Sequence, residues 1–113
     1  MESEGCGCGG SEPELEYYQP LTAVMASLSR KYALHTISVI DAHGPMRFGT
    51  LEDHLPEASS ATLAGRLDEL VNADLVTRTQ YEEIPPRVEY ELTEDGRELR
   101  RRLEPLLDWA ATR

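Results

Sequence analysis

The stretch YEEIPPRVEYELTEDG, Tyr81 to Gly96, decides the fold. Residues 75–81, LVTRTQY, and 87–93, RVEYELT, are rich in β-branched and aromatic residues and read as two strands. The segment EEIPP joins them. Val88, Tyr90 and Leu92 share one face of the second strand, and Glu89 and Glu91 share the other. Arg78 is expected across from one of those glutamates, as a cross-strand ion pair. Thr93 is placed to cap a following helix whose first turn holds Glu94 and Asp95, where the helix dipole favours acids.

Upstream of the hairpin the period changes to that of a helix. Ser59 or Ser60 caps a helix over about 60–73, with Leu63, Leu67, Leu70 and Val71 as its buried stripe. Thr50 is expected to cap a short helix over 51–55, which Pro56 ends. Met46-Arg47-Phe48 is long enough for only one strand of a small sheet. A helix over 29–43 stops at Gly44-Pro45, as a glycine followed by proline should stop it. Before it, Gln19-Pro20 begins a helix with Leu21, Val24, Met25 and Leu28 on one stripe. Residues 1–18 are Gly-, Glu- and Ser-rich without periodicity and read as a flexible tail, leaving 19–113 as one domain.

The order helix, helix, short strand, helix, helix, strand, strand, helix is mainly α with a small β-hairpin: a winged helix-turn-helix. A wing tip has to project without pairing to anything. Proline has no backbone donor and a fixed φ, so Pro85-Pro86 keeps the tip stiff and out of sheet pairing. Arg87 beside that tip is then a cation held in one place, suited to a narrow minor groove.

The turn GPMRFGTLEDHLP, the helix SSATLAGRLDELVNADLV and the wing YEEIPPRVEYELTEDGREL together resemble HxlR-type winged helix-turn-helix transcriptional regulators, relatives of the MarR group. The similarity runs from about Gln19 to Ala110. It implies a dimer that binds double-stranded DNA, with the N- and C-terminal helices forming the dimer interface and the helix after the Ser cap in the major groove. Many members of the family carry a cysteine just before the proline of the first helix, used by some as a thiol or aldehyde sensor. Gln19 stands there in this chain, so that chemistry does not transfer, and no effector is implied.

Carried onto this chain, the DNA-facing set is Ser59, Ser60, Ala61, Thr62, Ala64, Gly65 and Arg66 on the recognition helix and Arg87 on the wing at 82–87. The recognition helix offers few long donors for base edges. Arg66 has two readings, a phosphate contact or an ion pair with Glu69 or Glu57. For Arg87 the winged context favours the groove contact over the role of a solvated turn residue. Leu21, Met25, Leu106 and Trp109 are expected at the dimer interface, because the terminal helices carry more apolar surface than a soluble monomer exposes.

Composition sets the alternatives. The chain has 113 residues and a formal charge of −10, from 21 acidic and 11 basic residues. That charge is unusual for a DNA-binding protein. Part of it sits in the first 18 residues, and molar salt would shrink the Debye length to about 3 Å, so a salt-adapted (halophilic) protein is one expectation. A winged-helix protein-interaction module that has lost DNA binding is the rival function. No apolar run is long enough to span a bilayer and no secretory pattern is present at the start, which suggests a cytoplasmic protein. Cys6 and Cys8 form a C-x-C that reads as two reduced, idle thiols; a metal site would need about four ligands, two from each of two protomers. His35, His43 and His54 show no ligand spacing and read as structural. No nucleophile elbow, P-loop or metal-ligand pair appears, so neither an enzyme nor a cofactor is expected.

Overall fold

The computed structural model describes residues 11–113, with side chains from Glu16 onward; Cys6 and Cys8 lie outside the described residues. The elements are α1 (Ser11–Leu28), α2 (Ala33–His43), α3 (Phe48–His54), α4 (Ser60–Asn72), β1 (Val76–Tyr81), β2 (Arg87–Leu92) and α5 (Glu94–Ala111). The helix-turn-helix and its wing follow in the predicted order.

Several boundaries differ from the sequence reading. Residues 11–18 are helical rather than tail, so α1 does not start at Gln19 and Pro20 lies inside it. Proline cannot donate to the carbonyl four residues back; nearby, the Thr22 hydroxyl donates to the Tyr18 carbonyl at 3.1 Å. The expected helix over 29–43 starts only at Ala33, because Tyr32 takes a left-handed conformation, φ 72°. Arg47, not Thr50, precedes α3, which therefore starts at Phe48. Only Met46 of the expected short strand pairs, as an antiparallel bridge to Tyr90.

β1 and β2 form an antiparallel hairpin in the register Val76↔Leu92, Arg78↔Tyr90 and Tyr81↔Arg87. The expected pairing of Arg78 with a glutamate is thus corrected: Thr77 and Thr79 oppose Glu91 and Glu89, and Arg78 opposes Tyr90. One residue of register decides this, because side chains alternate faces along a strand.

The core gathers Leu28, Ile37, Ile40, Leu51, Leu63, Leu67, Leu70, Val76, Tyr90 and Leu92 around α2 and α4. Gly44 ends α2 at φ +79° and donates its N–H to the Ile40 carbonyl at 2.8 Å, as its predicted stop role requires. Thr93 accepts from the Gly96 N–H at 3.0 Å and donates its hydroxyl to the Asp74 carbonyl at 2.7 Å. That one side chain caps α5 and ties it to the α4–β1 junction. At that junction a Cβ on Gly96 would lie 2.2 Å from the Leu75 carbonyl oxygen, so only glycine lets the elements approach this closely.

Candidate nucleic-acid interface

α4 is held at its start by Ser59, whose hydroxyl oxygen accepts from the Thr62 N–H at 3.1 Å and donates to the Thr62 hydroxyl at 2.9 Å. Leu63, Leu67 and Leu70 point into the core. The opposite side leaves Ser59, Ser60, Ala61, Ala64 and Asp68 exposed, with Thr62, Gly65 and Arg66 partly so. This outward side is small and shallow. No atom lies within 4 Å of where a Gly65 Cβ would sit, so glycine is not required there by packing.

The polar groups on this side are largely engaged already. The Ser60 hydroxyl donates to the Glu52 carboxylate of α3. Arg66 pairs with Glu69, Nε to Oε1 at 3.0 Å, and only 11% of its side chain is exposed. Neither of those two atoms makes a hydrogen bond, so the contact is an ion pair without good N–H alignment. Of the two readings of Arg66, the fold realises the pairing with Glu69.

The wing behaves likewise. Arg87 pairs with Glu83 at 3.1 Å, lies 3.8 Å from Glu89, and places its guanidinium 4.2 Å from the centroid of the Tyr81 ring. The tip itself is apolar: Ile84 is fully exposed beside Pro85 and Pro86. Proline stiffness and the fixed arginine were legible in the sequence. The acids that hold Arg87 were not, because the contact of Glu83 needs the chain to reverse at the tip.

Residues missed in the sequence cluster at the α1–α2 turn. Arg30 pairs with Glu69 at 3.1 Å, and the Tyr32 hydroxyl donates to the Glu57 carbonyl at 3.3 Å. A basic pair at residues 30–31 in an arginine-rich, lysine-poor chain was the available signal. His35 and His43 share α2, and His43 stacks on His54 of α3 with centroids 4.5 Å apart. Among the described residues no group of acids, histidines or cysteines has a metal-binding arrangement.

The terminal helices carry the exposed apolar residues. Leu21, Met25, Leu106 and Trp109 are 56%, 45%, 54% and 57% exposed. The radius of gyration is 17.9 Å, against about 13 Å for a compact chain of this size. No described helix is long and apolar enough to cross a membrane.

Comparison with known proteins places these features in context. A family profile described as HxlR-like helix-turn-helix matches residues 27–113. An uncharacterized HTH-type transcriptional regulator of Synechocystis is 40% identical over 80 residues, 71% of this chain and 58% of that protein. This chain therefore spans less than two thirds of that relative. An uncharacterized HTH-type transcriptional regulator of Halalkalibacterium halodurans is 31% identical over 90 residues, 80% of each chain. The reduced form of the transcriptional regulator YodB from Bacillus subtilis superposes with a TM-score of 0.75 at 30% identity, covering 81% of this chain and 89% of that one. These relatives are regulators rather than enzymes, and nothing in them supports the salt-adapted origin suggested by composition.

Proposed function

The chain belongs to the HxlR-like helix-turn-helix family, and from that premise we propose that it is a cytoplasmic, homodimeric transcriptional regulator that binds double-stranded DNA. In this reading α4 lies in the major groove through Ser59, Ser60, Ala61, Thr62, Ala64, Gly65 and Arg66. The wing at 82–87 reaches the flanking minor groove with Arg87. Leu21, Met25, Leu106 and Trp109 pack against a second copy, and a two-fold pair would set the two recognition helices about 34 Å apart, one turn of the duplex. The proposed domain takes in residues 19–113, with 11–18 continuing its first helix toward the N-terminus.

The observation that carries the proposal is the outward side of α4. It is exposed, free of bulky side chains, capped at its start by Ser59, and flanked by a hairpin. Small residues let a helix backbone approach base edges closely. With Arg66 and Arg87 both paired to carboxylates, base readout leans on close fit and groove shape more than on long donors. The rival reading, a protein-interaction module without DNA binding, is not favoured by relatives named as transcriptional regulators.

Ala64→Glu tests it. The site is exposed, so the fold should be unaffected, while a carboxylate enters the groove. Duplex binding measured by fluorescence anisotropy should fall at least tenfold with an unchanged melting temperature. Equal binding by wild type and variant would remove α4 from the interface.

A further inference from the structure

Tyr32 is the one bulky residue among those described that sits in the left-handed region, at φ 72° and ψ 1°. Such a conformation is rare for a large side chain and persists only where its surroundings fix it. The surroundings are specific. The Tyr32 carbonyl accepts from the N–H of Thr36 at 2.9 Å and from its hydroxyl at 2.8 Å, and Thr36 is fully buried. The Tyr32 hydroxyl donates to the Glu57 carbonyl in the turn that leads into α4. The α1–α2 turn is thereby fastened to α2 beneath it and to the start of the recognition helix beside it.

Two cations stand on that fastened turn. Arg30 is 52% exposed and reaches Glu69 at 3.1 Å, while the same carboxylate meets the nearly buried Arg66 at 3.0 Å. Arg30 is therefore the outer partner of an Arg-Glu-Arg chain, tethered to the flank of α4 beside its exposed side. Lys31, the only lysine of the chain, is exposed, lies 5.2 Å from the Tyr32 ring centroid and makes no ion pair among the described residues. Arg30 and Arg66 thus share the single Glu69 carboxylate, with Lys31 standing beside them, while the Glu57 contact at this turn is made by its backbone carbonyl.

We propose that the α1–α2 turn is a phosphate-binding surface of this protein, in which Arg30 and Lys31 contact the DNA backbone that borders the groove occupied by α4, with Tyr32 as the positioning residue and Glu69 as the carboxylate with which phosphate competes. The proposal rests on the DNA-binding reading above and adds contacts that it does not contain. Phosphate contacts fix register without reading sequence, which suits a recognition helix with few long donors. An acidic protein surface would be met by the same charges, but the tether to α4 favours the duplex.

The experiment is anisotropy titration of a duplex selected by the wild type, over a series of potassium chloride concentrations. The variants are Arg30→Ala, Lys31→Ala and Glu69→Gln, each checked by thermal melt. Each alanine variant should bind severalfold more weakly, by the same factor on selected and unselected duplexes. Each should also flatten the slope of log affinity against log salt by about one. Glu69→Gln removes the competing carboxylate and should bind more tightly, an effect that damage to the fold does not produce. Alanine variants with wild-type affinity and slope would overturn the proposal while leaving DNA binding by α4 intact. Wild-type protein that binds no duplex would overturn both. Loss of binding to a polyglutamate probe, with duplex binding unchanged, would assign the surface to an acidic protein instead.

Discussion

Arg87 and Tyr81 are the cross-strand partners next to the wing tip, and the guanidinium of one lies 4.2 Å from the ring centroid of the other. The register puts them on one face of the hairpin, and Glu83 and Glu89 complete a cage around the charge. The cation is fixed in place, yet its charge is shared with two acids before any phosphate arrives.

Removing an acid from that cage should therefore help DNA binding and removing the cation should hurt it. Arg87→Ala is expected to weaken duplex binding by roughly tenfold, about 1.5 kcal/mol, the size of one charge-assisted contact. Glu83→Gln should strengthen it. Anisotropy titrations at several salt concentrations decide; Arg87→Ala equal to wild type at all of them would exclude the wing contact.

Two glycines should respond to the same substitution with opposite signs. Gly96→Ala drives a Cβ into the Leu75 carbonyl, a backbone atom that cannot swing aside, and should cost about 3 kcal/mol. Gly65→Ala meets nothing within 4 Å and should stabilise α4 by about 1 kcal/mol, while weakening DNA binding if close approach is its role. Urea melts of both variants check the signs.

The fold was largely legible because its signals are local. The period-2 strands, the Ser59 and Thr93 caps and the Gly44 stop each depend on residues within one turn, and each is found where expected. The helical state of residues 11–18 was not legible, since Glu- and Ser-rich segments read as tail when no apolar stripe marks them. The site was less legible than the fold. Arg30 and Glu69 are far apart in sequence and meet only when the fold brings the α1–α2 turn against α4. Arg78 shows how a single step of register swaps an expected glutamate partner for Tyr90.

α5 carries a pH-sensitive cluster of its own. Hydrogen bonds from Arg102 and then Arg101 hold the Glu98 carboxyl below its ordinary value of 4.5. A depressed folded-state value adds stability above the unfolded value and loses it as pH falls through the folded one. The effect sits below pH 4.5 and is small, because the group is solvent-exposed. Carbon-detected NMR titration should show Glu98 titrating below the other exposed glutamates, and Arg102→Gln should bring it back toward them. A Glu98 that titrates with the others in wild type would contradict the pairing.

The terminal helices should carry the association. Wild type is expected to sediment as a dimer at micromolar concentration, and Leu106→Glu with Trp109→Ala as a monomer that still melts cooperatively. A wild type that remains monomeric would leave the exposed residues of α1 and α5 without the proposed cover.

The most direct test of the central claim is selection of bound duplexes from a random library by the full-length wild type. The account predicts enrichment of sites built from two inverted half-sites with centres about 10 base pairs apart, and loss of that enrichment with Ala64→Glu. A library that stays unenriched at every salt concentration, or enriched equally by Ala64→Glu, would contradict it.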